Sequence, residues 1–190
     1  MSIIDLIYPK RCVGCARGGR YICEKCTMGI KRSGESLKYA GVVRKAIKEI
    51  KYRGSYAMAQ ELVDIWNPVR AENPSLVTAV PMWEPKRKKR GFNQAELIGR
   101  VLSERWKVEY REMLVRTRDT KPMYGLNREQ RKENVMAAFG IIASNQPYML
   151  KQQNVILVDD VWTTGSTMRE CANVLYEAGA AQINMMTLAR

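Results

Sequence analysis

Two adjacent carboxylates, Asp159 and Asp160, follow the apolar run Val155-Ile156-Leu157-Val158 and precede Val161-Trp162 and a hydroxyl-rich segment, Thr163-Thr164-Gly165-Ser166-Thr167. The apolar run, largely β-branched, is the pattern of a strand buried on both faces of a parallel sheet. After the segment, Met168, Cys171, Ala172 and Leu175 fall on one helical stripe, with Gly179 where a C′ residue belongs. A strand, a small flexible turn and a helix N-terminus together make an anion site. The first N–H groups of the helix lack intrahelical partners, and the macrodipole adds partial positive charge. Thr163, Thr164, Ser166 and Thr167 can donate further hydrogen bonds, and Gly165 permits close backbone approach. A phosphomonoester fits there. The carboxylates would repel a phosphate but suit the hydroxyls of a sugar diol, so the stretch reads as a site for a ribose carrying a 5′-phosphate. The bland alternative is a buried strand with a Ser/Thr-rich helix cap.

A second group is sulfur-based. Cys12, Cys15, Cys23 and Cys26 form C-x2-C, seven residues, then C-x2-C, among glycines and basic residues. Four thiolates on two such turns suit tetrahedral Zn²⁺ in a closed, structural site. Arg11, Arg17, Arg20 and Lys25 would offset its negative charge. The gap is shorter than in common zinc ribbons, and a redox CxxC pair or an iron–sulfur cluster are the alternatives. Cys171 reads as a small buried core residue. A third group is cationic: Lys86-Arg87-Lys88-Lys89-Arg90 precede Gly91 and a helix start. Between a strand end and a helix N-terminus, Lys89, Arg90 and Gly91 could hold a pyrophosphate. A nucleic-acid patch and a solvated basic loop are the other readings.

Histidine is absent, which excludes a histidine general base, His-bearing metal sites and Ser-His or Cys-His nucleophile systems. Against 19 acidic residues stand 32 basic ones, a net charge of +13 that favours anionic partners: polyphosphates, nucleotides or nucleic acid. Hydrophobic residues make up 46%, enough for a folded domain and against disorder. No apolar run approaches the length of a membrane span, and the N-terminus lacks a signal-peptide pattern, so a cytoplasmic location is expected.

The elements that must position these groups follow from periodicity. A helix is expected from Ser36, with Leu37, Ala40, Val43, Ile47 and Ile50 buried and Tyr52-Arg53-Gly54 closing it. A second helix spans about Met58 to Trp66 and stops at Asn67-Pro68. Leu76 to Val80 is a strand, Asn93 to Trp106 a helix, Val108 to Val115 a strand, Ala137 to Ala143 a short strand and Ile183 to Leu188 a last one. Residues 116–134 are long, charged and punctuated, the composition of a lid. A cysteine module over 1–34 and a main domain over 35–190, with a helical hood at 36–70, are expected.

Taken in order, the cysteine knuckle, Ile50-Lys51-Tyr52, Arg90-Gly91-Phe92-Asn93-Gln94 and the motif from Asp159 to Thr167 resemble the ComF family, which joins a zinc-binding module to a type I phosphoribosyltransferase domain. Arg116, Thr120, Leu126, Arg131, Asn134 and Phe139 also match; Met123 stands where glutamine is usual and Trp162 where a smaller aliphatic residue is. The resemblance implies an α/β fold, a parallel sheet flanked by helices. It also implies binding of 5-phosphoribosyl-1-diphosphate (PRPP) with Mg²⁺. Asp159 and Asp160 would sit on the ribose hydroxyls and Thr163 to Thr167 around the 5′-phosphate. For some members it implies a role in DNA uptake during natural competence, with single-stranded DNA and competence proteins as partners. Two functions are therefore expected in competition: phosphoribosyl transfer with release of pyrophosphate, or a non-catalytic module that binds single-stranded DNA.

Overall fold

The cysteine-rich stretch opens the computed structural model, which describes residues 10–119, 137–143 and 150–190. Cys23 is the N-cap of a one-turn helix α1 (Glu24–Met28), and a tight hairpin follows, β1 (Arg32–Ser33) and β2 (Ser36–Leu37), turned at Gly34 with φ 60°. The helix expected from Ser36 therefore begins later, as α2 (Gly41–Arg53). Ser36 Oγ donates to the Thr187 carbonyl at 2.8 Å, and Leu37 pairs in register with Ala189 of the sheet. That tertiary pairing overrides the local helical pattern. The expected boundary between residues 34 and 35 falls at the turn of this hairpin.

Gly54 ends α2 in the left-handed region, and Ser55 opens α3 (Tyr56–Trp66), its Oγ accepting from Met58 N at 3.2 Å. After β3 (Leu76–Ala79) the cationic run is not a loop. It forms α4 (Glu84–Arg90), opened by Pro85 and closed by Gly91, so its cations lie in the last turn, where the helix dipole favours them. Then come α5 (Gln94–Trp106), β4 (Glu109–Tyr110) and β5 (Leu114–Arg116). The single strand expected over 108–115 is thus two. β4 extends the main sheet, whereas β5 turns away to pair antiparallel with β6 (Phe139–Ile141). Most of the lid expected over 116–134 lies outside the described residues, Thr120, Met123, Leu126, Arg131 and Asn134 included.

The last three elements are β7 (Asn154–Val161), α6 (Ser166–Glu177) and β8 (Gln182–Ala189). Among the described residues one sheet has the order β1-β2-β8-β7-β3-β4, parallel throughout except for β1. Helices α2, α3 and α5 cover one face, where Ile47, Leu62, Trp66 and Leu102 pack on Val77, Ile156, Val158 and Leu188. On the other face α6 and the β5–β6 pair enclose Val155, Leu157, Met168, Cys171 and Leu175. A strand clad on both faces must be apolar throughout, which is why 155–158 reads as one unbroken run. The helices at 41–66 are part of this core. No helix among the described residues is long and apolar enough to cross a membrane.

Candidate phosphoribosyl site and metal centre

β7 is longer than its apolar run and carries both carboxylates at its C-terminal end. Successive side chains of a strand face opposite ways, so Asp159 lies on the face of Val155 and Leu157, and Asp160 on that of Ile156 and Val158. Both can reach one ligand only if it sits over the strand end, the crevice in which open parallel sheets bind ligands. The Asp160 N–H donates to Asp159 Oδ1 at 2.8 Å. Burial first, and the Asp160 charge second, push the Asp159 carboxyl well above the ordinary carboxylate range. Cys171 lies in the core below, its thiol raised mainly by burial and then by the Asp159 charge.

The hydroxyl-rich segment forms the turn from β7 into α6. Gly165, at φ 74°, is the N-cap and supplies no side-chain cap; the Ser166 N–H donates to Thr164 Oγ1 at 3.5 Å, and the first turn holds no acidic residue. Thr164 Oγ1 and Ser166 Oγ share a hydrogen bond at 2.9 Å, and Arg169 Nη2 closes the turn onto the Thr164 carbonyl. Thr163 is exposed, Thr164 and Thr167 are half-buried and Ser166 is buried. A Cβ on Gly165 would collide with the Trp162 ring. That ring also lies 5.8 Å from the guanidinium groups of both Arg169 and Arg190. Beside it a cavity of about 240 Å³ opens between the β1–β2 turn and the β8 edge, lined by Trp66, Trp162, Met185, Thr187 and Arg190 among others.

The cationic helix is held from two sides. Arg87 forks onto Glu112 with both terminal nitrogens at 2.8 Å and reaches Glu96 at 3.0 Å. Glu112 is held below its usual range chiefly by that Arg87 contact. Lys86 pairs with Asp119 and Lys88 with Glu84. Among the described residues Lys89 and Arg90 form no ion pair; Arg90 donates to Gln94 Oε1 at 2.9 Å. Two further parts of the Arg90–Gln94 segment serve as joints. Asn93 accepts from Ala95 N at 3.2 Å and donates to the Val80 carbonyl at 2.9 Å, fastening the start of α5 to the end of β3. Phe92 packs against Gly54, where a Cβ would come within 2.6 Å of its ring, so the end of α2 meets this segment.

The sulfur atoms of Cys12, Cys15, Cys23 and Cys26 all lie within 4.8 Å of one another. A tetrahedron with metal–sulfur bonds of about 2.3 Å has edges near 3.8 Å, so a small contraction closes the four around one ion. Burial raises the Cys12 thiol, but N–H groups of Cys23, Cys15 and Gly14 outweigh it and bring it down to about 6. Cys26 is pushed up to about 12, first by its hydrogen bond with Cys12. Hydrogen bonds thus favour the Cys12 thiolate, while Cys26 keeps its proton against that charge. The sequence gives no periodic signal for the Trp162 stacking, the Arg87 fork or the Phe92 packing, because each joins residues from different elements.

A family model for the phosphoribosyl transferase domain matches residues 90–190. The DNA utilization protein YhgH of Escherichia coli (strain K12) is 34% identical over 118 residues, 62% of this chain and 50% of that protein. Competence protein F of Haemophilus influenzae is 34% identical over 119 residues, 62% of this chain and 51% of that protein. Competence protein ComFC of Bacillus subtilis is 24% identical over 183 residues, 89% of this chain and 72% of that protein. The chain therefore spans about half the length of the first two. Similar solved structures include the glutamine PRPP amidotransferase of B. subtilis (18% identity, 78% of this chain, 27% of that one, TM-score 0.45). Another is the adenine phosphoribosyltransferase of Leishmania tarentolae (13% identity, 83% and 80%, TM-score 0.45). Likenesses at that level add nothing to the family match and the strand order. With the motif, the cysteine cluster and the relatives together, the chain belongs to the phosphoribosyl transferase domain family and, within it, to the ComF group.

Proposed function

We propose that this chain binds PRPP and transfers its phosphoribosyl group to an acceptor with release of pyrophosphate. The observation that carries the reading is the N-terminus of α6, free of acidic side chains, its hydroxyls and Gly165 gathered at one turn directly beyond Asp159 and Asp160. In this reading Thr163 to Thr167 hold the 5′-phosphate. Asp159 and Asp160 accept hydrogen bonds from the ribose diol, and Lys89, Arg90 and Gly91 face the diphosphate. Mg²⁺ enters with the diphosphate as part of the substrate. Displacement at the ribose C1 passes through an oxocarbenium-like transition state, and the pyrophosphate leaves with the bonding pair. Cations at the leaving group lower the need for a general base, which suits a chain without histidine. The acceptor would enter through the cavity beside Trp162 and Arg190. The test is pyrophosphate release from PRPP and Mg²⁺ with pooled bases and amines. Release must exceed that from a protein carrying Asp159→Asn and Asp160→Asn; equal release removes the transferase reading.

The four cysteines are read as a structural Zn²⁺ site, since four thiolates leave no position for water. A second function, binding of single-stranded DNA, is favoured by one observation. Residues 10–53 hold thirteen of the 32 basic residues but three of the 19 acidic ones. Arg44, Lys45, Lys48 and Lys51 on α2 form no ion pair among the described residues, and Tyr52 beside them is 76% exposed. A cationic face with an exposed aromatic suits an unpaired strand. The relatives' names, DNA utilization protein and competence protein, agree with a partner of that kind. Affinity measured against salt tests it: no binding at low salt, or a flat response, removes it.

A further inference from the structure

Glu61 lies in the middle of α3, outside the cysteine cluster, yet both its carboxylate oxygens are turned onto that cluster. Oε1 accepts from the Tyr21 N–H at 3.2 Å and Oε2 from the Ile22 N–H at 3.0 Å. These are the two peptide groups immediately before Cys23, whose own N–H points at Cys12 Sγ at 3.4 Å. Ile22 between them is fully buried, packed in the core cluster that holds α2 and α3. The Tyr21 carbonyl in turn accepts from Val13 N at 3.0 Å, so the same short segment also fixes the first knuckle. A charged acceptor on two consecutive N–H groups makes bonds stronger than neutral ones and sets the direction of both peptides. Nothing else among the described residues supplies an acceptor for these two N–H groups.

We propose that Glu61 is a positioning residue for the four-cysteine metal site, clamping the second knuckle to α3 so that metal affinity depends on a carboxylate outside the ligand set. The proposal rests on the metal reading of the cysteines. Groups that orient metal ligands from outside the coordination sphere commonly change affinity about ten- to hundredfold when removed. Here the clamp acts through the backbone. Without it the Cys23–Cys26 knuckle must be ordered at the expense of metal binding, while all four thiolates remain.

The test is competition for Zn²⁺ between a chromophoric chelator and the full chain, as wild type, Glu61→Gln and Glu61→Ala. Wild type should hold one Zn²⁺. Glu61→Ala should release it about ten- to hundredfold more readily, and Glu61→Gln by a smaller factor, because its single carbonyl oxygen can still accept one N–H. Cobalt substitution should give the same four-thiolate absorption bands in all three. Hydrogen exchange at Tyr21 and Ile22 should speed up in the variants while the amides of Ile98 and Leu102 in α5 stay protected. That pattern separates a local clamp from general loss of stability, and the Gln variant carries the test if the Ala variant does not fold. Unchanged Zn²⁺ affinity in Glu61→Gln and Glu61→Ala, with wild type binding normally, overturns the clamp alone. Failure of wild type to bind Zn²⁺ overturns the metal reading and the clamp with it.

Discussion

Asp159 sits where its charged form is disfavoured, half-buried on the α6 face and one residue from a second carboxylate. Its folded pKa is raised above the value of about 3.9 expected in an unfolded chain. Stability from this group is therefore full at acid pH and is lost as pH rises from about 4 towards the folded pKa. Replacing Asp159 with Asn should raise the apo melting temperature at pH 7, by about 2–4 °C for each kcal/mol of relief, and flatten its fall with rising pH. A thermal series from pH 5 to 8 checks this; an unchanged slope contradicts it. Gly165 makes a second prediction at this scale. Gly165→Ala meets both a positive φ and the Trp162 ring, and should destabilise by about 1–3 kcal/mol. Trp162→Leu in the same chain removes the collision but not the backbone strain, so a double-mutant cycle should recover part of the loss. Full additivity would show that ring and glycine do not interact.

Among the elements, those with a one-to-one match between pattern and environment were legible in the sequence. β7, α5 and α6 carry apolar residues where the core requires them. The failures lie where a partner distant in sequence decides. Ser36 and Leu37 have a helical pattern, but Thr187 and Ala189 hold them as a strand beside β8. The run at 86–90 looks like a loop because it has no apolar face. As α4 it is held instead by Arg87 on Glu112 and Glu96. The candidate site was legible in type, since two acids, hydroxyls and a glycine at a strand-to-helix switch have a local cause. Which face each acid takes depends on how far β7 extends, and the apolar run alone understated that. Asn93 joins two elements, and Asn93→Ala would lose both the α5 cap and the bond to the Val80 carbonyl. A cost of about 2 kcal/mol is expected in denaturant unfolding. Asn93→Asp keeps the cap but loses the donor, and should recover only part of it.

Over the whole molecule, basic charge and the four-cysteine cluster are gathered at the N-terminal end of the chain and the phosphoribosyl motif near the other, joined by a core that includes Ile22 of the cysteine segment. Stripping the metal with a chelator should therefore lower the melting temperature of the whole chain, not melt an independent module, and added Zn²⁺ should restore it. A separate low-temperature transition would contradict that. If residues 10–53 form the DNA face, reversing Lys45, Lys48 and Lys51 should weaken binding of single-stranded DNA. It should also reduce the salt slope by about 0.7 for each phosphate no longer neutralised. The core of the account is that Asp159, Asp160 and the turn into α6 hold an activated ribose phosphate. Isothermal titration of the purified chain with PRPP and Mg²⁺ tests this most directly. The account predicts saturable binding at one site per chain, lost when Asp159 and Asp160 are both changed to Asn; no heat and no thermal shift with the wild-type chain would contradict it.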